Sequence, residues 1–114
     1  RFVAVVPGVA VRRLAIDKRL AEIPRAIKLS RAIVEDAHKR YIAAGLRDHE
    51  AERLIQPQRD QSEAGITALE AEEAALQAEQ EALKRFHTTR NAADLPEGFE
   101  IPAPVEKVSF RHAV

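Results

Sequence analysis

The chain has 114 residues, one domain's worth, with 46% hydrophobic residues but one tyrosine, four phenylalanines and no tryptophan, so its core must be aliphatic and thin. Eighteen basic residues balance eighteen acidic ones, which singles out no partner by net charge, and the absence of cysteine excludes a disulfide framework. Methionine is also absent, even at position 1, as expected of a processed product or of part of something longer.

The chain opens with a Val/Ala-rich run from Phe2 to Val11, broken by Pro7-Gly8. Ten apolar residues are too few for a membrane-spanning helix, which takes about 20, and neither a charged lead nor a small-residue cleavage pattern marks a signal peptide. The run reads as a short strand with a Pro-Gly turn, or as an extended arm, over residues 1–12.

From Ile16 the period changes. Ile16, Leu20, Ile23, Ile27, Ser30, Val34, Ala37, Tyr41 and Ala44 follow at alternating spacings of four and three, a heptad-like helical stripe on which only Ser30 is polar. Pro24 fits the first turn of a helix better than its interior, so the pattern reads either as a short first helix ending near Glu22 or as a main helix whose first turn begins at Pro24 and which runs to at least residue 44.

Two places compete for the end of this arm. Gly45 followed by Leu46 has the form of a helix C-cap, with glycine free to take the left-handed conformation. Helical spacing nevertheless resumes through Ala51, Leu54 and Ile55 and runs up to Gln56-Pro57, and Asp60 with Glu63 could form a capping box that restarts a helix. A glycine inside a helix costs about 1 kcal/mol and a proline about 3. That difference places the expected turn near residues 56–62, with a turn near 45 as the alternative. Either way residues 13–91 form an antiparallel helical hairpin.

The second arm carries the run from Glu63 to Phe86. Leu69, Leu76 and Leu83 are seven apart, Ile66 precedes the first by three and Phe86 follows the last by three. The alternate seam positions hold Glu73 and Gln80, which makes the seam only half apolar, and seven alanines allow close approach of a neighbouring helix. Such a helix needs a partner. Beyond Arg90 the tail, residues 92–114, contains three of the six prolines and reads as extended, with Phe99, Ile101 and Phe110 as apolar anchors and a strand pattern over residues 105–114.

The neutral total conceals two opposed halves. Residues 1–40 hold ten Lys/Arg against four Asp/Glu, a balance of +6, and residues 41–114 hold eight against fourteen, a balance of −6. Six glutamates and no basic residue lie between Glu63 and Leu83. A turn near 45 would set these glutamates against the basic segment of the same chain, whereas a turn near 58 would leave them for the basic arm of a neighbouring subunit.

Chemistry-bearing patterns are sparse. Gly8, Gly45, Gly65 and Gly98 are isolated, so there is no phosphate-cradling loop. The histidines at 38, 49, 87 and 112 are far apart, and Asp48, His49, Glu50 and Glu52 lack a third ligand at metal-site spacing, so no metal, other cofactor or small-molecule substrate is expected. With three serines, no cysteine and no histidine placed beside them, the chain is not expected to be an enzyme.

The expectation is a non-enzymatic structural or assembly protein that self-associates or joins a larger complex. Its packing would be carried by Ile27, Val34 and Tyr41 on the first arm, by Ile66, Leu69, Leu76, Leu83 and Phe86 on the second, and by Phe99, Ile101 and Phe110 in the tail. By analogy of architecture alone, hairpins with extended termini occur in virion components, scaffolding coiled coils and small subunits of large complexes. The alternative expectation is nucleic-acid binding through a phosphate-contacting stripe within residues 12–40, made by Arg12, Arg13, Lys18, Arg19, Arg25, Lys28 and Arg31. The acidic second half and the lack of an aromatic stacking platform weigh against it.

Overall fold

The computed structural model describes residues 2–96. Among them are two long helices that pack as a hairpin, α1 (Phe2–Ala43) and α2 (Asp48–Thr89), a short 3-10 turn over Ala92–Asp94, and no strand.

The chain turns where Gly45 stands, and three local devices explain why. Gly45 has φ +99°, a conformation that L-residues with a Cβ adopt only under strain. Leu46 N–H donates to the Tyr41 carbonyl at 3.1 Å and Gly45 N–H to the Ile42 carbonyl at 3.0 Å, the two bonds of a Schellman cap, which satisfies carbonyls that the end of α1 would otherwise leave bare. Immediately afterwards Glu50 Oε1 accepts from Arg47 N–H at 2.9 Å, half of a capping box, and Asp48 and Glu50 put negative charge in the first turn of α2.

Three expectations are corrected here. The turn expected at residues 56–62 does not exist: Pro57 lies inside α2, and Asp60 accepts from Gln56 Nε2 at 2.7 Å as a helix-surface neighbour instead of opening a capping box. Pro24 lies inside α1 rather than at its start. Residues 2–11, expected as a strand or arm, are the first turns of α1. Pro24 and Pro57, like Pro7 near the start of α1, are exposed, so water can take the carbonyl each leaves without a donor, while buried residues near them, Val9, Ile23 and Ile55, tie the chain to the partner helix. At the N-terminus the seven-residue period of the main stripe extends back from Ile16 to Val9, and both are buried, so packing overrides the weak β-preference of a valine-rich run. The strand expected over residues 105–114 and the anchors Phe99, Ile101 and Phe110 lie outside the described residues.

The chain divides into two compact units. In the first, the α1 segment up to Lys18 lies with the α2 segment from Gln77, and Val9, Ile16, Ala82, Leu83 and Phe86 are buried. Gln80, 7% exposed, occupies a seam position there and donates through Nε2 to Asp17. In this unit α2 ends at Thr89, with Arg90 at φ +56° and Arg90 N–H donating to the Phe86 carbonyl at 2.7 Å. Asn91 Oδ1 then accepts from Ala93 N–H at 3.0 Å and opens the 3-10 turn.

The second unit, Arg19–Leu76, contains the turn. Its core is Ile23, Val34, Ala51, Ile55 and Ile66, with Leu20, Ile27, Leu69 and Leu76 half-buried around it. Ser30 and Ser62 meet across the seam, Oγ to Oγ at 2.5 Å, and fix the antiparallel register at that level.

Gly45→Ala is expected to lower stability by about 1–2 kcal/mol. A Cβ at Gly45 would meet nothing within 4 Å, so the loss would come from backbone strain alone. Arg90→Gly is expected to raise stability by about 0.5–1 kcal/mol by relieving the other positive φ. Urea midpoints at constant m-value check both.

Candidate interaction surface

The turn at Gly45 sets the acidic helix against the basic one within the same chain. In the first unit Arg12 Nε donates to Glu79 Oε2 at 2.6 Å and Nη2 to Oε1 at 2.8 Å, a bidentate pair. In the second, Arg19 makes the same fork on Glu72, at 2.6 and 2.9 Å, and also reaches Glu22 at 3.4 Å. These hydrogen bonds hold Glu79 and Glu72 below the ordinary carboxylate value and raise Arg12 and Arg19 above the ordinary guanidinium value. Two of the seven residues expected to contact nucleic acid are therefore occupied by glutamates. Arg13, Lys18, Arg25, Lys28 and Arg31 make no ion pair with a described residue.

The two long flanks of the second unit differ in kind. One is charged. Arg59, at a seam position of α2, donates to Glu52 at 2.8 Å and to Glu35 at 3.1 Å, and His38 Nε2 lies 3.0 Å from Asp48 and 3.7 Å from Glu52. Arg59 bridges the helices between two glutamates, while His38 Nε2 is buried without a hydrogen-bond partner among the described residues; the ion pairs fix register more than they add stability, because pairs near the surface are worth only about 0–1 kcal/mol.

The other flank is bare. It is carried by every seventh residue, Arg19, Ala26, Ile33 and Arg40 on α1, and Gln58, Gly65 and Glu72 on α2, with the buried Ala51 closing the row toward the turn. The Arg19–Glu72 fork closes it at one end, but beyond that the paired positions become small or uncharged and the seam opens. A groove of about 270 Å³ lies over Ser30, Val34, Ser62 and Gly65, and a second of about 730 Å³ runs toward the turn past Ala37, Tyr41 and Ala44. Both are lined by Ile33 and Gln58. A Cβ on Gly65 would meet nothing within 4 Å, consistent with open space on this side. Around the grooves stand Leu29, Ile33 and Leu54, which are 62%, 52% and 55% exposed.

Of the packing residues expected from the sequence, Val34, Ile66, Leu83 and Phe86 are buried, and Ile27, Leu69 and Leu76 are half-buried, between the helices of this chain. Tyr41 is exposed at the groove nearest the turn. The residues that the seven-residue stripe did not reveal are Leu29, Ile33 and Leu54. Their signal lies one position away from the main stripe: Ala26, Leu29 and Ile33 repeat the spacing of Ile27, Ser30 and Val34 one residue earlier, a second apolar row alongside the first. Among the described residues, no group of three or more His, Asp or Glu side chains is placed to hold a metal ion, and no helix is long and apolar enough to cross a membrane.

The lowered carboxylates predict a pH dependence with a definite sign. A group whose pKa falls on folding contributes stability that is complete above the unfolded value, about 4.3 for Glu. That contribution is lost as the pH drops through the lowered folded value. The thermal midpoint, followed by circular dichroism, is expected to fall with increasing acidity below about pH 4. In Glu79→Gln the neutral-pH midpoint should be lower and the acid slope shallower, because Arg12 loses its ionised partner.

No protein-family model matches this chain, and neither a curated protein nor a solved structure matches it significantly.

Proposed function

We propose that this chain is a non-enzymatic structural or assembly protein, a helical hairpin that works by packing its helices against other protein as a subunit of an oligomeric or larger complex. The observation that supports this most is the bare flank of the second unit, where Leu29, Ile33 and Leu54 stand exposed beside two open grooves. The aliphatic stripes are already spent on the hairpin's own core, yet a second apolar row remains in water. A row of this kind, bounded by charges, is what a third or fourth helix packs on.

The alternative, nucleic-acid binding through residues 12–40, is weakened by the geometry of its own residues. Arg12 and Arg19 are neutralised by bidentate glutamates, and a polyanion would have to displace Glu79 and Glu72 to use them.

Two measurements test the reading. In a native extract of the cells that make it, the chain is expected to migrate at an apparent mass well above its own 12.7 kDa, and recovery at the mass of a single chain would overturn the assembly role. Titrated with a labelled random DNA duplex across a salt series, the purified chain is expected to show no binding even at low salt. Tight binding that weakens steeply with salt would favour the alternative.

A further inference from the structure

We propose that the bare flank of the second unit is the seat of a second copy of this chain, packed on it antiparallel about a two-fold axis. This rests on the assembly reading above and names the first partner.

The argument is the distribution of charge around the apolar row. On this face α1 is uncharged between Glu22 and Asp36. On α2 the corresponding exposed row, Leu54, Gln58, Gln61, Gly65 and Ala68, is uncharged between Arg47 and Glu72. The two ends carry opposite signs. At the turn end Arg40 and Arg47 outnumber Asp36, which pairs with Arg40 at 3.0 Å. At the other end Glu22 and Glu72 outnumber Arg19, which touches both. One net positive charge thus closes one end of the apolar row and one net negative charge the other.

A surface with this pattern is complementary to itself when turned end for end. Glu22 and Arg40 are centred on residue 31, and Arg47 and Glu72 on a point between residues 59 and 60. Those two centres belong to different helices, but they lie at nearly the same level of the hairpin, that of the Ser30–Ser62 bond. A single two-fold axis through that level therefore sets α1 over α1 and α2 over α2. Leu29 of each copy then meets Ile33 of the other, and each acidic end meets a basic one. An isologous contact requires this kind of self-match of one patch with its own reverse.

The size is adequate. From Glu22 to Arg40 the face is about 27 Å long at 1.5 Å per residue, and two helices side by side are about 20 Å across. Two such faces make roughly 1,000 Å², at the threshold for a specific interface. The small residues Ala26, Gly65 and Ala68 let the helices approach, and the grooves on either side of Ile33 can receive the side chains of the second copy.

Light scattering on the purified full chain tests this. The expected mass is twice 12.7 kDa. Ile33→Glu, at a position already half exposed, is expected to raise the dissociation constant by at least about tenfold with unchanged helicity. Glu22→Arg is expected to weaken the dimer, and adding Arg40→Glu in the same chain is expected to restore it, since only the antiparallel arrangement brings these two positions together across copies. Both charge-reversal positions are exposed, so that pair tests the proposal even if Ile33→Glu unfolds. A purified chain at 12.7 kDa overturns the second copy, as does a dimer indifferent to both Ile33→Glu and Glu22→Arg. Either result leaves the assembly reading to stand or fall on the mass found in the native extract.

Discussion

The positive φ of Gly45 is the constraint from which the rest follows. A glycine in the left-handed region ends α1, the Schellman bonds seal its last carbonyls, and Glu50 caps the next helix three residues into it. Because the chain reverses there and not a dozen residues later, position 19 comes level with position 72, and Ser30 with Ser62. The register turns a chain of two opposed halves into one whose charges meet at home. Arg19 finds Glu72, and in the other unit Arg12 finds Glu79, so acidic surface that repels a polyanion also covers part of the basic surface that would attract one.

The seam that this register creates is only partly apolar. Ser30 with Ser62, Arg59, Glu73 and Gln80 occupy positions where an oligomeric zipper would carry leucine or isoleucine. Three of these positions find a specific partner, Ser30 in Ser62, Arg59 in Glu52 and Glu35, and Gln80 in Asp17, yet Arg59 Nε and Gln80 Oε1 are buried without one among the described residues, so the desolvation cost is only partly recovered. A hairpin held this way has a well-defined register and little surplus stability. The additional burial offered by the bare flank would then matter, since a marginal two-helix unit gains most from whatever covers its remaining apolar row.

The difference between the two flanks of residues 19–76 gives that surface a direction. Charges of alternating sign line one side, where Arg59 bridges Glu52 and Glu35 beside a groove of about 240 Å³, while Ala26, Ile33, Gln58 and Gly65 leave the other uncharged. A helix pair decorated equally on both sides would be a solvated rod. One with a charged side and an apolar side has a face, and Leu29, Ile33 and Leu54 are what that face presents.

The helices and their packed stripe were legible in the sequence because alternating spacings of four and three persist from Ile16 through Leu20, Ile23, Ile27 and Ser30 to Val34, and a period of seven through Leu69, Leu76 and Leu83, and no strand could bury such a pattern on one side. The two charge halves were equally plain. The position of the turn was not, because a glycine cap and a proline are both local signals, and their local energies rank them in the wrong order: Pro57 costs more inside a helix than Gly45 would. Packing reverses the ranking. A helix held along its length against a partner can carry an exposed proline, and a glycine already in the left-handed region with its cap bonds made is a better place to turn. The same non-local term converted the valine-rich start from expected strand to helix through burial of Val9. The sequence alone thus determined that two helical arms form and which residues are apolar and charged; the tertiary structure decided where the arms begin and turn, which residues face each other and which apolar row is left over, because facing is set by register, and register is fixed only when the whole seam closes at once.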